Sequence, residues 1–223
     1  MADLDWAVFD LNGTLLDPAA LSAALPAPCN GEQAGLDLLD ETVQRAMVDT
    51  LVGQYLPFAD YLRSAVTRRL QLAGLTAESG VVQAAVETAG RMPPYPEVPD
   101  ALALLREAGL RIATVTNSTT ATAEAALEAA GLRERFDVVT GSDRPRAYKP
   151  APEVYRSGLE RIGTDASRAV MIASHGWDLH GAKASGMATA WVARKERLFL
   201  GSLSEPDFTG SDVLDACRAI TRA

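Results

Sequence analysis

Short apolar runs alternating with amphipathic stretches fill the chain beyond residue 98, and few folds accept that order. Helical patterns cover 99–108, 120–130, 151–162, 177–184 and 212–220, and strand-like runs cover 110–115, 136–140, 169–173 and 187–192. Strands that recur only after an intervening helix return to a sheet in the same direction. The expectation is therefore a parallel sheet covered by helices on both faces. Gly131 closes the helix over 120–130, where a left-handed residue ends the last turn without a Cβ clash. One further apolar run, Trp6-Ala7-Val8-Phe9, stands alone near the start. It ends at Asp10 and runs into Asn12-Gly13, a turn pair, as a buried strand delivering a polar side chain into a loop would.

A different pattern separates that strand from the alternating part. Pro26, Pro28 and Gly31 break its beginning, and helical patterns then span 36–51, 56–72 and 76–91 with no strand between them. Val43, Met47 and Leu51 recur at i, i+4 and i+8; Leu62, Val66, Leu70 and Ala73 repeat the spacing, and each set reads as one apolar stripe. Pro93-Pro94-Tyr95-Pro96 marks the exit. The fold class expected is α/β: a doubly wound, mostly parallel sheet with an all-helical cap inserted after the first core strand. The segments are 1–18 (core), 19–93 (cap) and 94–223 (core). Cap and core should meet over the carboxyl ends of the strands, where open α/β sheets bind ligands.

Charge and cysteine usage narrow the partners. The formal net charge is -8, which makes nucleic acid and anionic membrane surfaces poor partners. A small anionic substrate would still need a local positive group, so a Lys or Arg in a cleft becomes informative. No apolar run reaches the ~18 residues of a membrane span, and the start lacks the basic and apolar regions of a secretory signal. Cys29 and Cys217 lie far apart and form no metal-ligand or CxxC spacing. Two reduced thiols and a cytoplasmic location are expected. An apolar face on the cap would suit pairing of two copies, since twofold dimers are the commonest assemblies.

Polar groups converge where the strands end. They are Asp10, Thr116-Asn117, Lys149 before a helix, and Ser174-His175 with Trp177-Asp178. Each alone reads as a helix cap, a turn residue or a first-turn acid. Together, at the carboxyl ends of adjacent strands, they read as a site with Asp10 paired in space to Lys149 and Asp178.

These residues carry a family resemblance. Asp10-Leu11-Asn12-Gly13-Thr14-Leu15-Leu16-Asp17 resembles the DxxGTL motif I of the haloacid dehalogenase superfamily, Thr116 its motif II, Lys149-Pro150 its motif III and Asp178 its motif IV. The resemblance implies a Rossmann-like core and a carboxylate nucleophile at Asp10. The superfamily's phosphatases carry a second Asp two residues after the nucleophile, as a general acid. Here that position is Asn12, and an amide cannot donate a proton and recover it near neutral pH. The magnesium-dependent branches usually carry another Asp where Ser174 stands. Fewer acidic oxygens weaken a divalent-cation site, so no metal and no cofactor are expected. A leaving group that departs as a stable anion tolerates the missing acid, which is similar to the L-2-haloacid dehalogenase branch. Tyr155 six residues after Lys149, the Trp177-Asp178 segment, Phe58, and Glu97-Val98-Pro99 also resemble that branch.

The resemblance implies hydrolysis of a small 2-haloalkanoic acid through an ester on Asp10. Thr14 would fix the nucleophile's rotamer, and Lys149, balanced by Asp178, would stabilise its charge. Thr116 and backbone N–H groups around Leu11 and Asn12 would hold the substrate carboxylate, and Asn117 would donate to the leaving halide. Phe58 and Trp177 would form apolar walls, Ser174 would orient the site and Tyr155 would line it; Asp178 or His175 would activate water. The branch usually has Tyr at position 12, Ser at 173 and Asn at 175, where this chain has Asn12, Ala173 and His175. Its halide-receiving arginine falls near Leu39, and the nearest arginine is Arg45. The alternatives are a magnesium-dependent phosphomonoesterase and a catalytically silent small-molecule-binding protein on the same fold.

Overall fold

The computed structural model describes residues 4–194 and 196–223; residues 1–3 and 195, which fall in the expected core segments, lie outside the described residues. Strand β1 (Trp6–Phe9) is fully buried, and its side chains alternate between two apolar clusters: Ala7 and Phe9 face one, Trp6 and Val8 the other. A period of two with both sets apolar means that both faces are covered. With β2 (Arg111–Thr114), β3 (Ala169–Ala173), β4 (Ala188–Val192) and β5 (Phe208–Gly210) it forms a parallel sheet in the order β2-β1-β3-β4-β5.

Helices close the two faces by their apolar stripes. On the Phe9 side lie α5 (Val98–Glu107), α6 (Thr120–Ala129) and α9 (Val213–Thr221), which bury Val98, Leu102, Leu105, Leu127, Val213 and Ile220. On the Val8 side lie α7 (Pro152–Ile162) and α8 (Gly176–Ala184), which bury Val154, Tyr155, Leu159 and Leu179. Each such apolar side chain contributes about 1.5–3 kcal/mol on burial. Gly163 ends α7 in the left-handed conformation, which a Cβ would penalise.

The segment between β1 and α5 is helical: α1 (Ala19–Ala23), α2 (Ala34–Leu51), α3 (Phe58–Leu72) and α4 (Ser79–Ala89). It has a core of its own, in which Leu38, Leu62, Val66, Leu70, Val82 and Ala85 pack together. The stripe read through Leu62, Val66 and Leu70 is the buried face of α3. The stripe through Val43, Met47 and Leu51 is not that of α2. Its buried face runs through Ala34, Leu38, Leu39, Thr42 and Ala46, and Leu51 is 86% exposed. The buried face turns toward α3, and two candidate stripes on one apolar-rich helix cannot be ranked by spacing alone.

Two strand readings need correction. The run over 136–140 is no strand; it touches the sheet through one bridge, Ala113 to Val138. Threonine side chains replace the ladder there: Thr140 N–H donates to Thr114 Oγ1 at 3.0 Å, and Thr140 Oγ1 donates to the Thr114 carbonyl at 2.6 Å. Conversely, β5 and α1, each five residues or shorter, gave no sequence signal.

Candidate active site

The parallel register sets the site. Phe9 pairs with Thr114 on one side and Ile172 on the other. One step on, Asp10, Val115 and Ala173 leave the sheet level with one another, and their loops converge. Asp10 N–H donates to the Ile172 carbonyl at 3.1 Å, which holds its backbone in the sheet's last rung. The turn that follows needs Gly13, whose φ is +83°, a region in which non-glycine residues are strained. A Cβ on Gly13 would also stand 3.1 Å from the His175 ring.

Both oxygens of Asp10 are held. Lys149 Nζ donates to Oδ1 at 2.9 Å and Thr14 Oγ1 donates to Oδ2 at 2.9 Å. Thr14 is itself fixed by the Ser174 N–H at 3.0 Å, and Ser174 Oγ donates to the Gly13 carbonyl at 2.9 Å. Lys149 spends its other two hydrogens on the Val115 carbonyl at 2.9 Å and on Asp178 Oδ2 at 2.5 Å, which satisfies all three donors of a fully buried ammonium. The remaining Asp178 oxygen lies 2.7 Å from the Tyr155 hydroxyl. Tyr155 is fully buried behind Asp178, so it braces the ion pair and does not line the cavity.

Burial and charge pull against each other throughout this cluster. Burial pushes Asp10 up, yet the Lys149 charge and then His175 hold its carboxyl below the ordinary carboxylate range. Burial would lower Lys149, but Asp10 and Asp178 outweigh it and the ammonium is stabilised. Burial raises Asp178 and the Lys149 charge opposes it. Burial likewise opposes protonation of His175, while its contact with Asp10, helped by the Asp178 charge, raises its pKa overall.

A cavity of about 30 Å³ opens over Asp10, lined from the sheet side by Asn12, Thr116, Asn117, His175 and Trp177. Phe58, Leu39, Asp40 and Val43 of the helical segment close it, and an adjoining cavity of about 170 Å³ shares Asn12, Leu39 and Phe58. The Asn117 Oδ1 accepts from the Lys149 N–H at 2.9 Å, while its buried Nδ2 has no partner. His175 Nδ1 stands 3.5 Å from Asp10 Oδ2, and its ring tilts against Trp177 with centroids 5.4 Å apart. Leu11 is buried in an apolar cluster, which leaves only its backbone to face a ligand.

Sequence reasoning missed the helical wall: Leu39, Asp40 and Val43 were not singled out as site residues. Leu39 and Val43 are four apart, a signal shared with every amphipathic helix. No arginine borders the cavity among the described residues. Arg45 pairs with Glu41, Arg63 with Asp60, Arg68 with Glu41 and Arg69 with Asp37. A larger cleft of about 1000 Å³ lies at the opposite, amino-terminal ends of the strands, lined by Asp5, Arg111, Arg156 and Arg168. It is far from the converging loops, and its acid Asp5 is paired to Arg168.

Known proteins share both the sequence and the architecture. Residues 4–186 match the family model of the haloacid dehalogenase-like hydrolases. Haloacetate dehalogenase H-2 of Moraxella sp. (strain B) is 31% identical over 218 residues, 97% of each chain. A probable phosphatase, IndB, of Dickeya dadantii (strain 3937) is 33% identical over 193 residues, 83% of this chain and 79% of that one. The structure of the L-2-haloacid dehalogenase of Xanthobacter autotrophicus with chloropropionic acid covalently bound superimposes with a TM-score of 0.89, at 25% identity, over 97% of this chain and 98% of that one. An aspartate at the end of the first strand, locked to a buried lysine and a second aspartate, in a chain matched along most of its length by one family, leads to a single assignment: this protein belongs to the haloacid dehalogenase-like hydrolases.

Proposed function

We propose that this hydrolase cleaves the carbon–halogen bond of a small 2-haloalkanoic acid through an ester on Asp10, giving the 2-hydroxy acid. One observation carries the reading: an ionised carboxylate, clamped at both oxygens, faces a small cavity with Asn12 where a phosphatase needs its general acid. Asp10 attacks the halogen-bearing carbon in line and expels halide, nucleophilic catalysis that needs no proton for the leaving group. Asn117 Nδ2, a buried donor without a protein partner, faces the departing anion beside Phe58. Thr116 and the backbone after Asp10 receive the substrate carboxylate, and Trp177 and Phe58 exclude bulk water. Water then attacks the Asp10 acyl carbon, so the substrate carbon inverts once. The haloacetate dehalogenase relative and the covalent chloropropionic acid complex of the Xanthobacter enzyme support this chemistry.

Helices α1–α4 act as the cap over this site, and the exposed Val48, Leu51, Val52 and Leu56 support a second copy of the chain as partner. No described helix is long and apolar enough to cross a membrane, and the buried free thiols Cys29 and Cys217 suit the cytoplasm.

The probable phosphatase relative favours a second reading, magnesium-dependent hydrolysis of a phosphomonoester. The donor set does not suit that cation. Lys149 lies between Asp10 and Asp178 and bonds to both, and Asn12 and Ser174 stand where further acids would serve. Halide release across 2-halocarboxylates and phosphate release from monoesters, each with and without magnesium, separates the readings. The expected result is magnesium-independent halide release, with heavy oxygen entering Asp10 after a single turnover in ¹⁸O water; a silent binding protein would show neither.

A further inference from the structure

We propose that His175, and not Asp178, is the general base that activates water for hydrolysis of the Asp10 ester, a role that rests on the dehalogenase reading above. Asp178 is fully buried and absent from the cavity wall, and its two oxygens are engaged by Lys149 and Tyr155. Lys149 has no free hydrogen and no lone pair to offer. His175 alone among the basic groups of the converging loops lines the cavity. Its Nδ1 is buried, lacks a hydrogen-bond partner and stands 3.5 Å from Asp10 Oδ2. A water approaching the acyl carbon of Asp10 comes within hydrogen-bond reach of that nitrogen, the geometry a base requires. A cavity of about 30 Å³ has room for such a water.

Charges around the ring time the step. Asp10 faces it from the end of β1, Lys149 from the loop before α7, Asp178 from α8 and Asp40 across the cavity from α2; Glu196 accepts from the N–H of the adjoining Gly176. While Asp10 is a carboxylate it holds the imidazole protonated. Alkylation removes that charge and leaves the Lys149 ammonium, so the imidazolium releases its proton to solvent. The neutral ring then takes a proton from water as the hydroxide oxygen bonds to the acyl carbon. The tetrahedral adduct expels the alkoxide of the product, which takes the proton from His175. The Asp10 acid left behind returns its proton to the ring and restores the starting pair. One water is consumed, and one halide and one proton leave per turnover. The nucleophile's own charge thus keeps the base silent until an ester exists.

The test follows both half-reactions with L-2-chloropropionate by rapid quench, reading chloride and the intact-protein mass. In His175→Gln the first chloride should leave within a fewfold of the wild-type rate, and the ester should then persist, with hydrolysis about 10²–10⁴-fold slower. In the wild type, ester hydrolysis should fall as the pH drops through one ionisation while alkylation stays level; Asp40→Asn should keep that profile. Unchanged hydrolysis in His175→Gln, or its transfer to Asp40→Asn, overturns the proposal. Should His175→Gln fail to fold, the wild-type profile decides: hydrolysis independent of pH on the acid side overturns it. Absence of any chloride release by the wild type would instead sink the dehalogenase reading itself.

Discussion

The two walls of the cavity are built on opposite principles. The sheet wall is a closed polar network: Asp10, Thr14, Lys149, Asp178, Tyr155 and Ser174 satisfy one another, with every short contact made inside the protein. The helical wall is mostly apolar, with Leu39, Val43 and Phe58, and its one charge is negative, Asp40. A network of buried charges tolerates no missing member, because each removal strands a partner in low dielectric. A packed apolar wall tolerates change of shape. Chemistry therefore resides in the wall that cannot vary, and choice of substrate in the wall that can.

Breaking the polar wall at its centre should have the largest effect. Asp10→Asn should lower halide release by about 10⁴-fold or more while circular dichroism stays native; near-native turnover would remove the nucleophile from Asp10. Lys149→Met should follow. It leaves two carboxylates buried without a counter-charge, and a loss of about 3–5 kcal/mol in urea unfolding is expected. A loss under 1 kcal/mol would show that the network is wetter than its burial suggests. On the helical wall, Leu39→Arg supplies the cation that the related branch places there. A rise of about tenfold in kcat/KM for chlorinated acids, ~1.4 kcal/mol of transition-state stabilisation, is expected; a fall would mean that this wall recognises something other than the leaving anion. Tyr155→Phe should cost least, about 1 kcal/mol, through the lost donor to Asp178. An equal loss of activity and stability there would blur the distinction between bracing and chemistry.

Acid should dissolve the same distinction. The folded pKa of Asp10 lies below its unfolded value. Its stabilisation is therefore present above the ordinary carboxylate pKa near 4 and is lost as the pH falls through the lower folded value. Urea midpoints of wild type and Asp10→Asn should separate above about pH 4 and converge in stronger acid.

Legibility in the sequence followed the same division. The polar wall was readable because each member ends an apolar run or opens a helix, local features that survive without knowledge of packing. Trp6 to Phe9 announced Asp10, and Ala169 to Ala173 announced the Ser174 loop. The helical wall was hidden, since which stripe of α2 turns inward is decided by α3 and not by spacing. Tyr155 was seen but misplaced, because a ring on an amphipathic helix announces burial without saying where its hydroxyl will point. The bridge at Val138 escaped because threonine side chains, not backbone ladders, bind that segment.

Tyr148 sits one residue before the buried lysine, and its ring stacks on Tyr55 and meets Phe58 and Tyr61. Its hydroxyl donates to the Leu56 carbonyl, and its N–H donates to Thr50 Oγ1. Any parting of α2 and α3 from the sheet must break this aromatic rivet or drag it along. The residue it would drag is the neighbour of Lys149, so admitting a substrate and disturbing the nucleophile's counter-ion are one mechanical event.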